Sequence, residues 1–202
     1  MNTRQIALAG TLLAIVFLAH AAGRFFQIGG AQLAPSIAIY TLITLLLAPQ
    51  MSWGPLVGIG IAVGVLTMVA TSSPFPPANI PAHGLAFLLA AGLTKAWGRG
   101  SAELPVGKIV GILGATLLVS WTLFSSISWL GLLPTGHPLL GRSFDVFGVV
   151  AGQGLAFWWL FGFLTVAVPT FIIGLILTPL LYRAVRPALV RQGMIPVTDR
   201  GV

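Results

Sequence analysis

Polar side chains able to bind or react are scarce in this chain, and they collect in three places. His20 is followed one helical turn later by Arg24, with Phe25 and Phe26 directly beyond. Asn79 and His83 belong to the proline-rich stretch "SSPFPPANIPAH" at 72–83. Arg142 and Asp145 stand three residues apart in "GRSFDVFGVVAGQG". Such an Arg–Asp pair either neutralises itself or forms a site for a zwitterion, the guanidinium holding a carboxylate and the carboxylate an ammonium. In the second case Arg24 or Arg142 takes the carboxylate and Asp145 the ammonium. Asn79 is suited to bonding an amide or indole N–H. Phe25, Phe26, Trp121 and Trp129 are candidate walls for a planar apolar ligand; the competing explanation is an aromatic belt at a membrane interface.

Other chemistries find little support. The chain has no Walker A motif, no HExxH, no paired carboxylates and no G-x-S-x-G. His20, His83 and His137 permit a metal-dependent intramembrane enzyme only if they converge, and their spacing matches no standard ligand motif. With no cysteine, disulfides and thiolate sites are excluded. No cofactor is expected.

The elements that position these residues follow from composition. Of 202 residues, 57% are hydrophobic and only 6% charged, against about a quarter charged in soluble domains. Several apolar runs approach the roughly 20 residues of a membrane-crossing helix. They lack the period-2 alternation of a barrel strand. The expected fold is an all-α integral membrane protein, a six-transmembrane-helix bundle in the lipid bilayer. Its helices are expected near 5–22, 33–48, 54–71, 83–97, 107–131 and 153–183, punctuated by glycine and proline. Pro169 is a place where the long last segment kinks or divides. Residues 1–185 form one domain and 186–202 a cytoplasmic tail.

Charge placement sets the expected orientation. With the N-terminus inside, inner segments hold Arg4, Lys95, Arg99, Lys108, Arg183, Arg186, Arg191 and Arg200, and outer segments only Arg24 and Arg142. Eight against two places both termini in the cytoplasm of a multi-pass plasma-membrane protein. The net charge of +7 is thereby explained as an orientation signal, with no call for nucleic acid. Arg4, the apolar run 6–18 and Ala19-His20-Ala21 resemble a cleavable signal peptide; retention of this first helix is the favoured expectation. No acidic residue falls inside a span, so a proton-coupled pump lacks its usual group.

The first helix also carries Gly10-Thr-Leu-Leu-Ala14, a small-xxx-small pattern that admits close helix approach, to an internal neighbour or to an external partner. Together with His20, the "RFFQIGG" connection, "LLLAPQ", the proline-rich loop ending in "NIPAHGLAF" and the basic loop after it, this order resembles the substrate-binding S component of energy-coupling factor (ECF) transporters. The tryptophan-transporter type is the nearest. The resemblance covers about residues 5–185 and rests on order and spacing, with no single diagnostic signature. It implies six helices, a solute site near the outer face, and a transmembrane coupling subunit driven by two ATPase subunits. Gly10 and Ala14 would then be the docking surface, with glycine replacing the first alanine of the usual Ala-xxx-Ala. The alternatives are an S component for another vitamin or small solute, or a membrane scaffold with a merely packed interior.

Overall fold

A computed structural model of the protein describes residues 3–28, 31–98, 103–136, 145–146, 149–150 and 154–195. Helices dominate: α1 (Thr3–Ala22), α2 (Ser36–Leu47), α3 (Trp53–Ala70), α4 (Asn79–Trp97), α5 (Val106–Leu132), α6 (Leu155–Gly162) and α7 (Val168–Arg191). Two antiparallel hairpins of two-residue strands complete the description, β1 (Gln27–Ile28) with β2 (Ala31–Gln32) and β3 (Asp145–Val146) with β4 (Val149–Val150).

All twelve residues of α2 are buried. A helix that is apolar on every side belongs in the centre, and α1, α4, α5 and α7 all pack on it. The surrounding helices turn apolar stripes outward. On α3, Trp53, Val57, Ile61, Val65 and Val69 recur every fourth residue and are exposed; Ile172, Ile176 and Leu180 do the same on α7. In water such continuous stripes would drive association; facing hydrocarbon they cost nothing. Four helical segments are long and apolar enough to cross a membrane: Thr3–Phe25, Trp53–Ala70, Val106–Thr135 and Leu155–Arg191. The architecture is that of a helical membrane protein. Helix α2 with its following turn, Ser36–Gln50, is apolar but shorter, about 22 Å at 1.5 Å per residue.

The α3–α4 contact is built on glycine. A methyl group on Gly84 would lie 3.1 Å from the Gly60 carbonyl oxygen, and one on Gly64 would lie 2.5 Å from that of Ile80. Small residues here let two backbones touch, the usual source of helix association in lipid.

Two boundaries differ from the sequence reading. Helix α4 starts at Asn79, four residues before the expected 83. Pro81 sits in its first turn, where its missing N–H costs no hydrogen bond. The last segment neither divides nor ends at 183: α6 passes through a π-turn, Phe163–Ala167, into α7, which reaches Arg191. Pro169 falls directly after that turn, so the wider π geometry accommodates the absent N–H.

Candidate functional site

At the end of the bundle where α1 stops and α4 starts, four helices bring polar side chains together. His83, on the second turn of α4, is the hub and is buried. Its Nε2 meets Asn79 Oδ1 at 3.2 Å, and its Nδ1 meets the hydroxyls of Ser120 on α5 at 3.0 Å and Tyr40 on α2 at 3.3 Å. Asn79 is positioned by its own helix start, donating Nδ2–H to the Pro76 carbonyl at 2.9 Å. His20 on α1 lies edge-on to the His83 ring, centroids 5.3 Å apart at 79°. Its Nδ1 is 2.8 Å from the Ser36 hydroxyl at the start of α2.

The directions of these bonds assign the His83 proton. Because the Asn79 amide spends Nδ2 on Pro76, Oδ1 faces the ring and can only accept. Nε2 therefore carries a hydrogen, while the Ser120 and Tyr40 hydroxyls at Nδ1 can each donate or accept. The bonds link hydroxyls on α2 and α5, through His83 and Asn79, to the proline loop. Around His83 both ring nitrogens and the Asn79 amide are bonded, and a buried polar network of this kind penalises any loss of register.

Of the residues expected to form a site, His20, Asn79 and His83 do meet. Arg24 is placed at the end of α3: its Nε donates to the Ala70 carbonyl at 2.7 Å and its Nη2 to those of Val69 and Thr71 at 3.3 and 3.0 Å. These are carbonyls at the end of α3 that have no partner within the helix, at the negative pole of its dipole. Nε and Nη2 of the guanidinium cap this helix end, a role beside the one that the sequence reading offered Arg24 or Arg142, holding a carboxylate. Phe25 and Phe26 are 86% and 62% exposed. Trp121 and Trp129 join α5 to α6: Trp121 Nε1–H donates to the Trp159 carbonyl at 3.0 Å, and the Trp129 ring lies 6.0 Å from that of Trp158. His137 and Arg142 lie outside the described residues; of Asp145 only the backbone is described, paired with Val150.

Ser36, Tyr40 and Ser120 escaped the sequence reading because a lone hydroxyl in an apolar helix has an ordinary alternative in its own backbone. For metal binding, two of three histidines converge, but both His83 nitrogens are already hydrogen-bonded. Among the described residues no group of three or more His, Asp or Glu side chains is placed to hold an ion.

On α1 the face opposite the cluster is open. Ala9, Leu12, Val16 and His20 are buried, whereas Ala7, Gly10 and Ala14 are exposed. Nothing lies within 4 Å of a methyl group built on Gly10. At the far end of the bundle, basic side chains also serve backbone carbonyls. Lys108 Nζ donates to Trp97 at 2.8 Å, Arg4 to Gln192 at 3.0 Å, and Lys95 to Met51 while lying over the Trp53 ring.

Compared with protein-family models, curated proteins and solved structures, the chain matches none.

Proposed function

We propose that this chain is the membrane-embedded solute-binding subunit of an ECF-type importer, passing six times through the plasma membrane with both termini in the cytoplasm. It captures a small aromatic solute, tryptophan being the leading candidate, for ATP-driven uptake by a coupling subunit and two ATPase subunits. One observation carries the reading: α1 is two-faced, with His20 in a buried polar cluster on one side and the Gly10–Ala14 surface open on the other. A subunit that must bind a solute and dock on a partner needs both faces. His20, Asn79 and His83 are the polar contacts of the solute, joined by Ser120 and Tyr40. The groups that bond one another in this cluster are an amide, hydroxyls and imidazoles, and this chemistry suits amide, hydroxyl and N–H groups of a solute.

A second reading, a scaffold without solute, draws on the near-complete burial of Asn79 and His83 and their bond to each other. Equilibrium binding to the purified protein separates the two. Tryptophan or a related aromatic should bind, and His83→Ala should abolish binding. Absence of binding to a panel of amino acids and vitamins would sink the transport reading. Docking has its own test: Gly10→Leu or Ala14→Leu should stop uptake in cells while solute binding by the isolated subunit survives.

A further inference from the structure

At the end of the bundle away from the His83 cluster, a cleft of about 390 Å³ opens between α7 and the segment leading into α5. It is lined by Glu103, Leu104, Pro105 and Arg183. Its two sides are tied together by the buried neighbours of the charged residues. The Leu104 N–H donates to the Tyr182 hydroxyl at 3.4 Å, and Leu104 and Tyr182 are both buried. Glu103 precedes the one and Arg183 follows the other, so a carboxylate and a guanidinium line one cleft from two different elements. Both residues are exposed, and no ion pair joins them. Other cations at this end are committed to carbonyls, Lys108 to Trp97, Lys95 to Met51 and Arg4 to Gln192. Arg183 makes no such bond among the described residues. The outward apolar stripe of α7, Ile172, Ile176 and Leu180, runs up to this cleft. Arg183 comes three residues after Leu180 and shares its face, so the guanidinium stands where the hydrocarbon-facing surface gives way to charge.

We infer that this cleft holds the headgroup of a phosphatidylethanolamine-type lipid, its phosphate on Arg183 and its primary ammonium on Glu103. A guanidinium matches a phosphate in charge and in paired hydrogen bonds, and basic pockets between helices at the membrane surface are sites for phosphate headgroups. The carboxylate narrows the choice. It repels an anion that brings no positive charge of its own, and it accepts from an ammonium that carries N–H groups. A glycerol headgroup offers Glu103 no cation, and the quaternary ammonium of choline has no N–H to donate. The acyl chains lie along the exposed Ile176 and Leu180 of α7, on the same face as Arg183. Occupancy of the cleft requires neither a solute at the His83 cluster nor a partner subunit.

Native mass spectrometry of the delipidated protein in detergent tests the assignment. Palmitoyl-oleoyl phosphatidylethanolamine, phosphatidylglycerol and phosphatidylcholine are offered singly at equal concentration. The parent should retain phosphatidylethanolamine about fivefold better than either of the others, the worth of one exposed ion pair. Glu103→Gln should bring phosphatidylethanolamine down to the level of phosphatidylglycerol without weakening the latter, and Arg183→Gln should weaken both. Arg191→Gln, an equal change of charge outside the cleft, should keep the parent's preference. Equal retention of the three lipids by the parent, or a preference that survives Glu103→Gln, would overturn the headgroup assignment. Free phosphoethanolamine at millimolar concentration should not displace the lipid, because the acyl chains supply much of its hold. Displacement would turn the cleft into a site for a soluble zwitterion and remove the lipid from it.

Discussion

Both ring nitrogens of His83 are hydrogen-bonded, Nε2 to Asn79 alone and Nδ1 to two hydroxyls, so an apolar isostere of Asn79 leaves a buried group unmatched. Asn79→Leu would strand both the His83 N–H and the Pro76 carbonyl. Each orphaned group costs about 1–3 kcal/mol, and the melting temperature in detergent should fall by several degrees. Ser120→Ala removes one of two hydroxyls that meet the same ring nitrogen, Tyr40 remaining at 3.3 Å, and should cost less than Asn79→Leu in the same melt. Reversal of that order would show that Ser120, rather than Asn79, is the partner on which His83 chiefly depends. His20, Asn79 and His83 were legible because polar groups are rare in this chain and each needs a partner in lipid. Their hydroxyl partners were not, because nothing in the spacing of Ser36, Tyr40 and Ser120 says that three helices meet there.

Small residues on helices have two opposite meanings, and the elements of this bundle contain both. Gly64 on α3 faces the Ile80 backbone, with no room for a methyl group; Gly10 on α1 faces open space. Gly64→Leu should therefore disrupt the α3–α4 contact and lose the monodisperse peak on size exclusion, whereas Gly10→Leu should leave peak and melting temperature unchanged. If Gly10→Leu alone unfolds the isolated protein, the face is an internal contact and the docking proposal fails. The motif Gly10-xxx-Ala14 was visible in sequence, but its direction was not, since helical periodicity fixes which residues share a face and not what that face meets. The same holds for Arg24. Its position one turn after His20 was plain, yet the C-terminal carbonyls it caps belong to a helix more than forty residues away.

For the molecule as a whole, four helical segments are long and apolar enough to cross a membrane, and the proposed six-span arrangement would gather the basic residues at the cytoplasmic end. Reporter fusions test the proposed orientation: domains active only in the cytoplasm should work when attached after residue 202 or in the loop near residue 100, and fail when inserted at Pro74. Activity of the Pro74 fusion would invert the proposal and place the proline-rich segment on the cytoplasmic side. The four long helices have the length and composition to cross a membrane. Helix α2 does not need the same length, because its twelve buried residues are shielded from lipid by the helices around it.

Composition and the continuity of its apolar runs were enough to determine a helical membrane protein, and glycine and proline marked nearly every helix boundary. These are local properties: burying a backbone in hydrocarbon demands helix, and proline restricts torsion wherever it stands. Pairings across the bundle were left to the tertiary structure. It put His20 against His83, gave Arg24 to the end of α3 and turned Gly10 outward, because each outcome depends on how the helices rotate about their axes to pack. Rotation of that kind is decided by small contacts such as Gly60 on Gly84, which carry no signature along the chain.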